Sequence, residues 1–288
     1  MSASALDSGA WTAAHEVPPS VRSHLGMLVD RVMELVDVHA HLCAPEFADD
    51  LPAVLEAAAA AGVVRVLAVG ENLEDARQNL ELAARFAVVR VCAGLYPTIL
   101  DEAAADTMVA FIRGQRDRLV GIGEVGLDHW IVKEDAEREI QRKIFARFVA
   151  LSNELDLPLN VHSRSAGRAA IQFLREHGAR RVLLHAFDGK ASSAQEGVAT
   201  GYYFSIPPSA VRSPQKQKLV RALPLDRLLL ETDSPVLGPD PTQRNEPKNA
   251  AAACRAVAEL KGVPVEEVAR ITTANARALF PKAFARWA

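Results

Sequence analysis

Cysteine is scarce in this chain: Cys43, Cys92 and Cys254 are its only three, odd in number and far apart. They form neither a CxxC metal knuckle nor a disulfide framework, and they suit a reducing compartment. Positive charge is not in surplus either, with 33 Lys and Arg against 36 Asp and Glu and a formal net charge of −3. A protein that gripped duplex nucleic acid mainly by electrostatics would carry a basic excess. The average charge therefore gives that class no support, and leaves a local arginine or a metal ion as the means of holding phosphate. Aromatic residues make up 6% of the chain, too few to establish a base-stacking track. No run of about 18 apolar residues occurs, and no secretory apolar segment follows Met1. The reading is an intracellular protein, cytoplasmic with the nucleus as the alternative, with no membrane association and no obligate protein partner. Internal repeats, low-complexity linkers and the glycine fingerprint of dinucleotide-binding sheets are also missing.

What is present is a 49% hydrophobic chain in which short apolar runs alternate with helical periodicity. Residues 1–34 read as an N-terminal arm ending in a short amphipathic helix from Val21 to Glu34. Strands are then expected at Leu35–Val38, Val63–Val69, Val88–Leu95, Leu119–Val125, Leu157–Val161, Arg181–His185, Tyr202–Ile206 and Arg227–Glu231. A helix follows each of the first seven, and two close the chain after the eighth, near Pro247–Lys261 and Pro264–Ala278. Eight continuous apolar strands separated by helices are what a closed parallel barrel requires, because both faces of each strand are covered. The expected fold is an α/β TIM (β/α)8 barrel forming a single domain over residues 35–288.

Polar residues break these runs near their C-terminal ends. The first strand leads into Asp37-Val38-His39-Ala40-His41, and alternation along extended backbone lets His39 and His41 face the same way and chelate one ion. Glu124 interrupts the fourth strand, where an unpaired carboxylate would be costly; bridging two cations would supply opposite charge to both oxygens. His162 and His185 end the fifth and sixth runs, and Asp233 follows the eighth. Any one of these has a bland structural reading. Delivered together to the face where such barrels keep their active sites, they predict a divalent-metal centre. His39, His41, Glu124 and Asp233 would surround one ion, and Glu124, His162 and His185 the other. Arg164, in the loop beyond His162, is a candidate phosphate contact, as are Tyr96 after the third strand and Arg244 before Asn245. Lys190 reads as a solvated surface group and Phe187 as core.

With DVHAH at 37–41, GEVGLD at 123–128, HSR at 162–164, HAFDG at 185–189, ETDSP at 231–235, NEP at 245–247 and TANARALF at 273–280, the chain resembles the TatD family of metal-dependent hydrolases over about Leu35 to Phe280. The resemblance implies metal-ligand roles for His39, His41, Glu124, His162 and His185, and assistance to the nucleophile by Asp233. It implies a deoxyribonuclease acting on DNA ends or abasic sites, with magnesium favoured. Histidine-rich ligands also make zinc, manganese or iron chemically comfortable. One position departs from the family: a histidine-proline pair common after strand three is Tyr96-Pro97 here, and a phenol cannot reproduce imidazole acid–base behaviour at neutral pH. His129 is the nearby residue that could compensate. The competing readings are a small-molecule phosphoesterase, a hydrolase of amides or lactones, and a catalytically silent metal-binding scaffold.

Overall fold

Each apolar run of the sequence becomes a strand with both faces covered, and the helices between them supply the cover. In the computed structural model, residues 33–285 are described. The N-terminal arm and its expected helix fall outside them, apart from Met33 and Glu34. The strands are β1 (Leu35–Ala40), β2 (Val63–Val69), β3 (Val89–Ala93), β4 (Gly121–Gly126), β5 (Leu159–His162), β6 (Val182–Leu184), β7 (Tyr203–Ile206) and β8 (Leu228–Leu230). The helices are α1 (Leu51–Ala60), α2 (Leu73–Arg85), α3 (Glu102–Gln115), α4 (Asp135–Leu155), α5 (Gly167–Glu176), α6 (Ala191–Ala199), α7 (Pro214–Ala222), α8 (Ala250–Lys261) and α9 (Val265–Leu279).

The strands form one eight-stranded sheet in sequential order, every neighbouring pair parallel. The ring closes where Ala40 pairs with Ser234, with the Asp233 amide donating to the His39 carbonyl at 2.8 Å and the His41 amide donating to Ser234 at 2.8 Å. This is a TIM barrel, and its closure explains one boundary. β1 runs on to Ala40, past the expected Val38, because its end has the segment beyond β8 as a partner. The expected 247–261 helix instead starts with a 3-10 turn at Pro247–Asn249 before α8.

Two buried apolar clusters hold the barrel. The larger unites strand residues such as Val66, Val91, Val161 and Phe204 with Met108, Phe148, Leu174 and Val257 from the helices. The smaller joins Val36, Leu67, Cys92, Leu183 and Leu229, from strands spread around the ring, to Phe280 and Ala283 near the C-terminal end. Local signals set the helix starts: Asn72 caps α2 by accepting from the Glu74 and Asp75 amides, and Asp101 caps α3 by accepting from Ala103 and Ala104. Among the described residues, no helix is long and apolar enough to cross a membrane.

Candidate metal centre

Because every strand runs in the same direction, residues at strand ends far apart in sequence meet at one mouth. His39 lies on β1 and His41 just after it, Glu124 on β4, His162 at the end of β5, His185 immediately after β6 and Asp233 beyond β8. The structure brings all six together. His39 Nε2 and His41 Nε2 are 3.3 Å apart. They stand 3.6 and 3.5 Å from Glu124 Oε2, and 3.5 and 3.3 Å from Asp233 Oδ1. The other Glu124 oxygen, Oε1, is 2.6 Å from His162 Nδ1 and 2.8 Å from His185 Nε2. Glu124 thus faces a His39–His41–Asp233 group with one oxygen and a His162–His185 group with the other.

The neighbours of these side chains decide which ring nitrogens face inward. Asn160 on β5 donates its amide N–H to the Val38 carbonyl at 2.9 Å, so its oxygen is left to accept from His39 Nδ1, also at 2.9 Å. That places a proton on Nδ1 and turns Nε2, whose own proton a metal ion would displace, toward Glu124 and Asp233. Asp128 Oδ2 lies 3.0 Å from His162 Nε2 while Oδ1 accepts from the Trp130 and Ile131 amides at 2.8 and 2.7 Å. His162 is thereby held with Nδ1 inward. Asp37 accepts from the Thr232 amide and hydroxyl, tying the base of the β1 site to the β8 side. Glu231 accepts from the Ala186 amide at 2.8 Å and the Ser205 hydroxyl at 2.6 Å, and buried Lys216 donates to the Ala186 and Phe187 carbonyls. Asn245 donates to Thr232 and Val236, fixing the loop on which Asp233 sits at φ 53°. A non-glycine residue in that left-handed region is strained and persists only where its surroundings hold it.

The electrostatics follow from burial and crowding. Burial works against a charge on His39, but the nearby Glu124 carboxylate, with Asp233 and Glu231, overcomes it and pushes the imidazole up to about 10. His162, lowered by burial and raised more by Asp128 and Glu124, goes to about 9. His185 is driven down to about 4, by burial first and then by charge on His39, whose ring stacks on it at 3.7 Å. Burial also opposes ionisation of Glu124, yet His185, His162 and His39 hold its carboxyl well below the usual range.

Despite these neighbours, Glu124 Oε2 and His185 Nδ1 are fully buried with no hydrogen-bond partner. An orphaned carboxylate oxygen facing two imidazole nitrogens and a second carboxylate is a costly arrangement for the bare protein. A divalent cation with nitrogen and oxygen ligands would satisfy it. The donor groupings His39–His41–Asp233 and Glu124–His162–His185 each place their ligand atoms within 4.8 Å of one another, as do His41–Glu71–Glu124 and His39–His185–Glu231. The residues present fit a metal centre.

The centre opens into a cleft of about 610 Å³ whose lining includes Tyr96, Ser163, Arg164, Lys216 and Val236. Tyr96 sets its ring edge-on to His162 at 5.1 Å, and burial followed by the charges of Glu124, Asp128 and Glu71 pushes its hydroxyl up, so it stays a donor. Arg164 lies at the rim with its guanidinium 5.3 Å from the Trp130 ring. Arg244 is not brought to the cleft: it pairs with Asp50 at 2.7 Å and Glu246 at 2.9 Å and covers Phe47. His129 opens instead onto a neighbouring groove, together with Lys190, and Phe187 is fully buried. Glu71, beyond β2 and 3.7 Å from His41, was not singled out from the sequence, although it occupies the same kind of strand-end position as the others. Asn160 carried a clearer signal, a polar residue inside the apolar run of β5.

The model of the TatD related DNase family matches residues 36–281. Human "Deoxyribonuclease TATDN3" is 47% identical over 263 residues, covering 86% of this chain and 95% of that protein. The "3'-5' ssDNA/RNA exonuclease TatD" of Erwinia amylovora is 33% identical over 261 residues, 85% of this chain and 99% of that one. Among solved structures, the Escherichia coli TatD homolog YjjV superposes with a TM-score of 0.80 at 28% identity, covering 87% of this chain and 99% of that one.

Proposed function

The chain belongs to the TatD-related DNase family, and from that membership we propose that it hydrolyses phosphodiester bonds of DNA, at ends or at abasic sites, with two divalent ions held at the barrel mouth. The observation that carries this reading is Glu124, whose two oxygens face two separate groups of imidazole and carboxylate donors, one of them with no protein partner. His39, His41, Glu124 and Asp233 would hold one ion, and Glu124, His162 and His185 the other. When bound, such ions stabilise charge on phosphate oxygens and acidify water.

The protein's own groups supply the rest. Asp233 is buried, yet its carboxyl is held below the usual range because His41, His39 and His185 outweigh the burial. It is therefore an ionised acceptor at neutral pH, placed to orient the attacking water and take its proton. The Tyr96 hydroxyl donates to a nonbridging oxygen, keeping the polarity of the family's histidine at that position without its proton exchange. Arg164 at the rim pairs with the phosphate backbone. Magnesium is the ion the family suggests, while four inward imidazole nitrogens also suit manganese or zinc.

The test is hydrolysis of end-labelled single-stranded, duplex and abasic oligonucleotides by metal-stripped protein to which magnesium, manganese or zinc is returned. Metal-dependent cleavage is expected, with product positions separating end-directed from abasic-site action. Asp233→Asn should retain the fold and lose at least about 100-fold in kcat, the scale of a lost general base. Unchanged turnover by that variant would overturn the role given to Asp233. Intact oligonucleotides alongside cleavage of a small phosphate ester or a lactone would move the substrate elsewhere.

A further inference from the structure

Among the described residues, the large apolar side chains left exposed are Trp130, Ile131, Val211 and Val236. None is scattered over the helices' outer faces. Trp130 and Ile131 follow β4, Val211 follows β7 and Val236 follows β8, so all four stand on the side of the barrel where the cleft opens. Trp130 is 57% exposed, which is unusual for an indole.

Its position is nonetheless fixed. Asp128 accepts from the Trp130 amide at 2.8 Å with one oxygen and faces His162 Nε2 at 3.0 Å with the other, so the backbone that carries the indole is tied to the metal centre through a single side chain. The His129 amide donates to the Arg164 carbonyl at 3.0 Å, locking the β4 and β5 loops together. The Arg164 guanidinium, which lines the cleft, then lies 5.3 Å from the indole centroid. A held aromatic face beside an arginine, at the rim of a cleft that receives a phosphodiester, has the chemistry of a base-stacking platform: indole stacks on any base, and the guanidinium adds cation–π attraction and a phosphate contact.

We propose that Trp130, backed by Arg164, is a binding site for one unpaired nucleobase of the strand whose phosphate lies in the cleft. The inference rests on the hydrolase reading above and adds to it a nucleotide subsite outside the metal centre. A base paired within a duplex presents no free face to such a platform, so the stacked nucleotide is one lying at a frayed end or in single-stranded DNA.

The test compares the full chain with its Trp130→Ala and Trp130→Phe variants on a short DNA oligonucleotide and on a set of oligonucleotides lacking the base at each position in turn. Trp130→Ala should lose about 10- to 100-fold in kcat/KM on the complete strand, the range of one base–aromatic stack, and Trp130→Phe should recover most of it. With the stacked base absent, wild type and Trp130→Ala should cleave alike. Binding is read separately by fluorescence with calcium in place of the catalytic metal. The chain has three tryptophans, Trp11, Trp130 and Trp287, and the complete oligonucleotide should quench wild type far more than Trp130→Phe, which keeps the other two. Equal cleavage of complete strands by wild type and Trp130→Ala, with equal quenching in wild type and Trp130→Phe, would overturn the platform and leave the hydrolase reading standing. Quenching assigned to Trp130 with no cleavage under any metal would do the reverse.

Discussion

Asn160 and Asp128 never face the cleft centre as ligands, yet they decide which nitrogens of His39 and His162 do. Each accepts from the outward nitrogen of its imidazole, at 2.9 Å and 3.0 Å, and such outer partners commonly tune metal affinity by about 10- to 100-fold. Asn160→Ala should therefore weaken metal binding by about that factor while the ligand set stays complete, as read by competition with a coloured chelator; unchanged affinity would show that His39 is oriented by packing alone. The metal-binding candidates were legible in the sequence because each is a polar break in an apolar run. Their supports were harder to read: Asp37 and Glu231 sit inside the same motifs, but their partners, Thr232 for one and Ser205 with Ala186 for the other, are set by the closure of the ring. Arg244 shows the opposite failure. A loop arginine near the mouth invites a phosphate-binding reading, and only the fold reveals that it pairs with Asp50, 194 residues away in sequence.

At the scale of elements, strand existence followed from hydrophobic runs, whereas strand ends depended on neighbours distant in sequence. β1 continues to Ala40 because Ser234 pairs with it, and that two-residue extension places His39 within the sheet, where its backbone carbonyl accepts from the Asp233 amide. The glycines of β4 and its surroundings allow comparably close approach. Gly126 has φ 147°, and a Cβ there would lie 2.1 Å from the His162 carbonyl oxygen. A Gly94 Cβ would lie 2.5 Å from the Glu124 carbonyl oxygen. Both contacts are to backbone, which cannot swing aside, so the strands carrying Glu124 and His162 keep their spacing only with glycine at these positions. Gly126→Ala should destabilise the barrel by about 2–4 kcal/mol and weaken metal binding with it. Denaturant melts checked against metal titration measure both, and wild-type stability in the alanine variant would show that β4 and β5 can separate without consequence.

For the molecule as a whole, crowding of like groups at the mouth makes the metal part of the fold's stability. Ligand at about 100 times its Kd adds about 2.7 kcal/mol, which for a domain of this size raises Tm by about 5–10 °C; chelator should remove that increment. The pH dependence of the stripped protein has a defined sign. His39 and His162 titrate at about 10 and about 9 in the fold against an ordinary 6.5. Their protonated forms stabilise the folded state fully below the unfolded value of about 6.5, and that contribution is lost as pH rises through their folded values. The metal-stripped protein should therefore melt lower as pH increases from about 7 to about 10. Metal binding at about pH 7 should release protons, seen as calorimetric heats that depend on the buffer's ionisation enthalpy. Heats independent of buffer would mean that the imidazoles are already neutral.

The proposed two-ion, DNA-cleaving centre turns on one carboxylate, Glu124. Its most direct measurement is the cleavage rate of an end-labelled oligonucleotide as metal-stripped protein is titrated with magnesium or manganese, with bound ions counted in the same samples, for wild type and Glu124→Gln. Wild-type activity should climb to a plateau at about two bound ions per chain, and Glu124→Gln should neither fill both sites nor cleave. Full activity with a single bound ion, or a Glu124→Gln protein that binds two and cleaves at the wild-type rate, would contradict it.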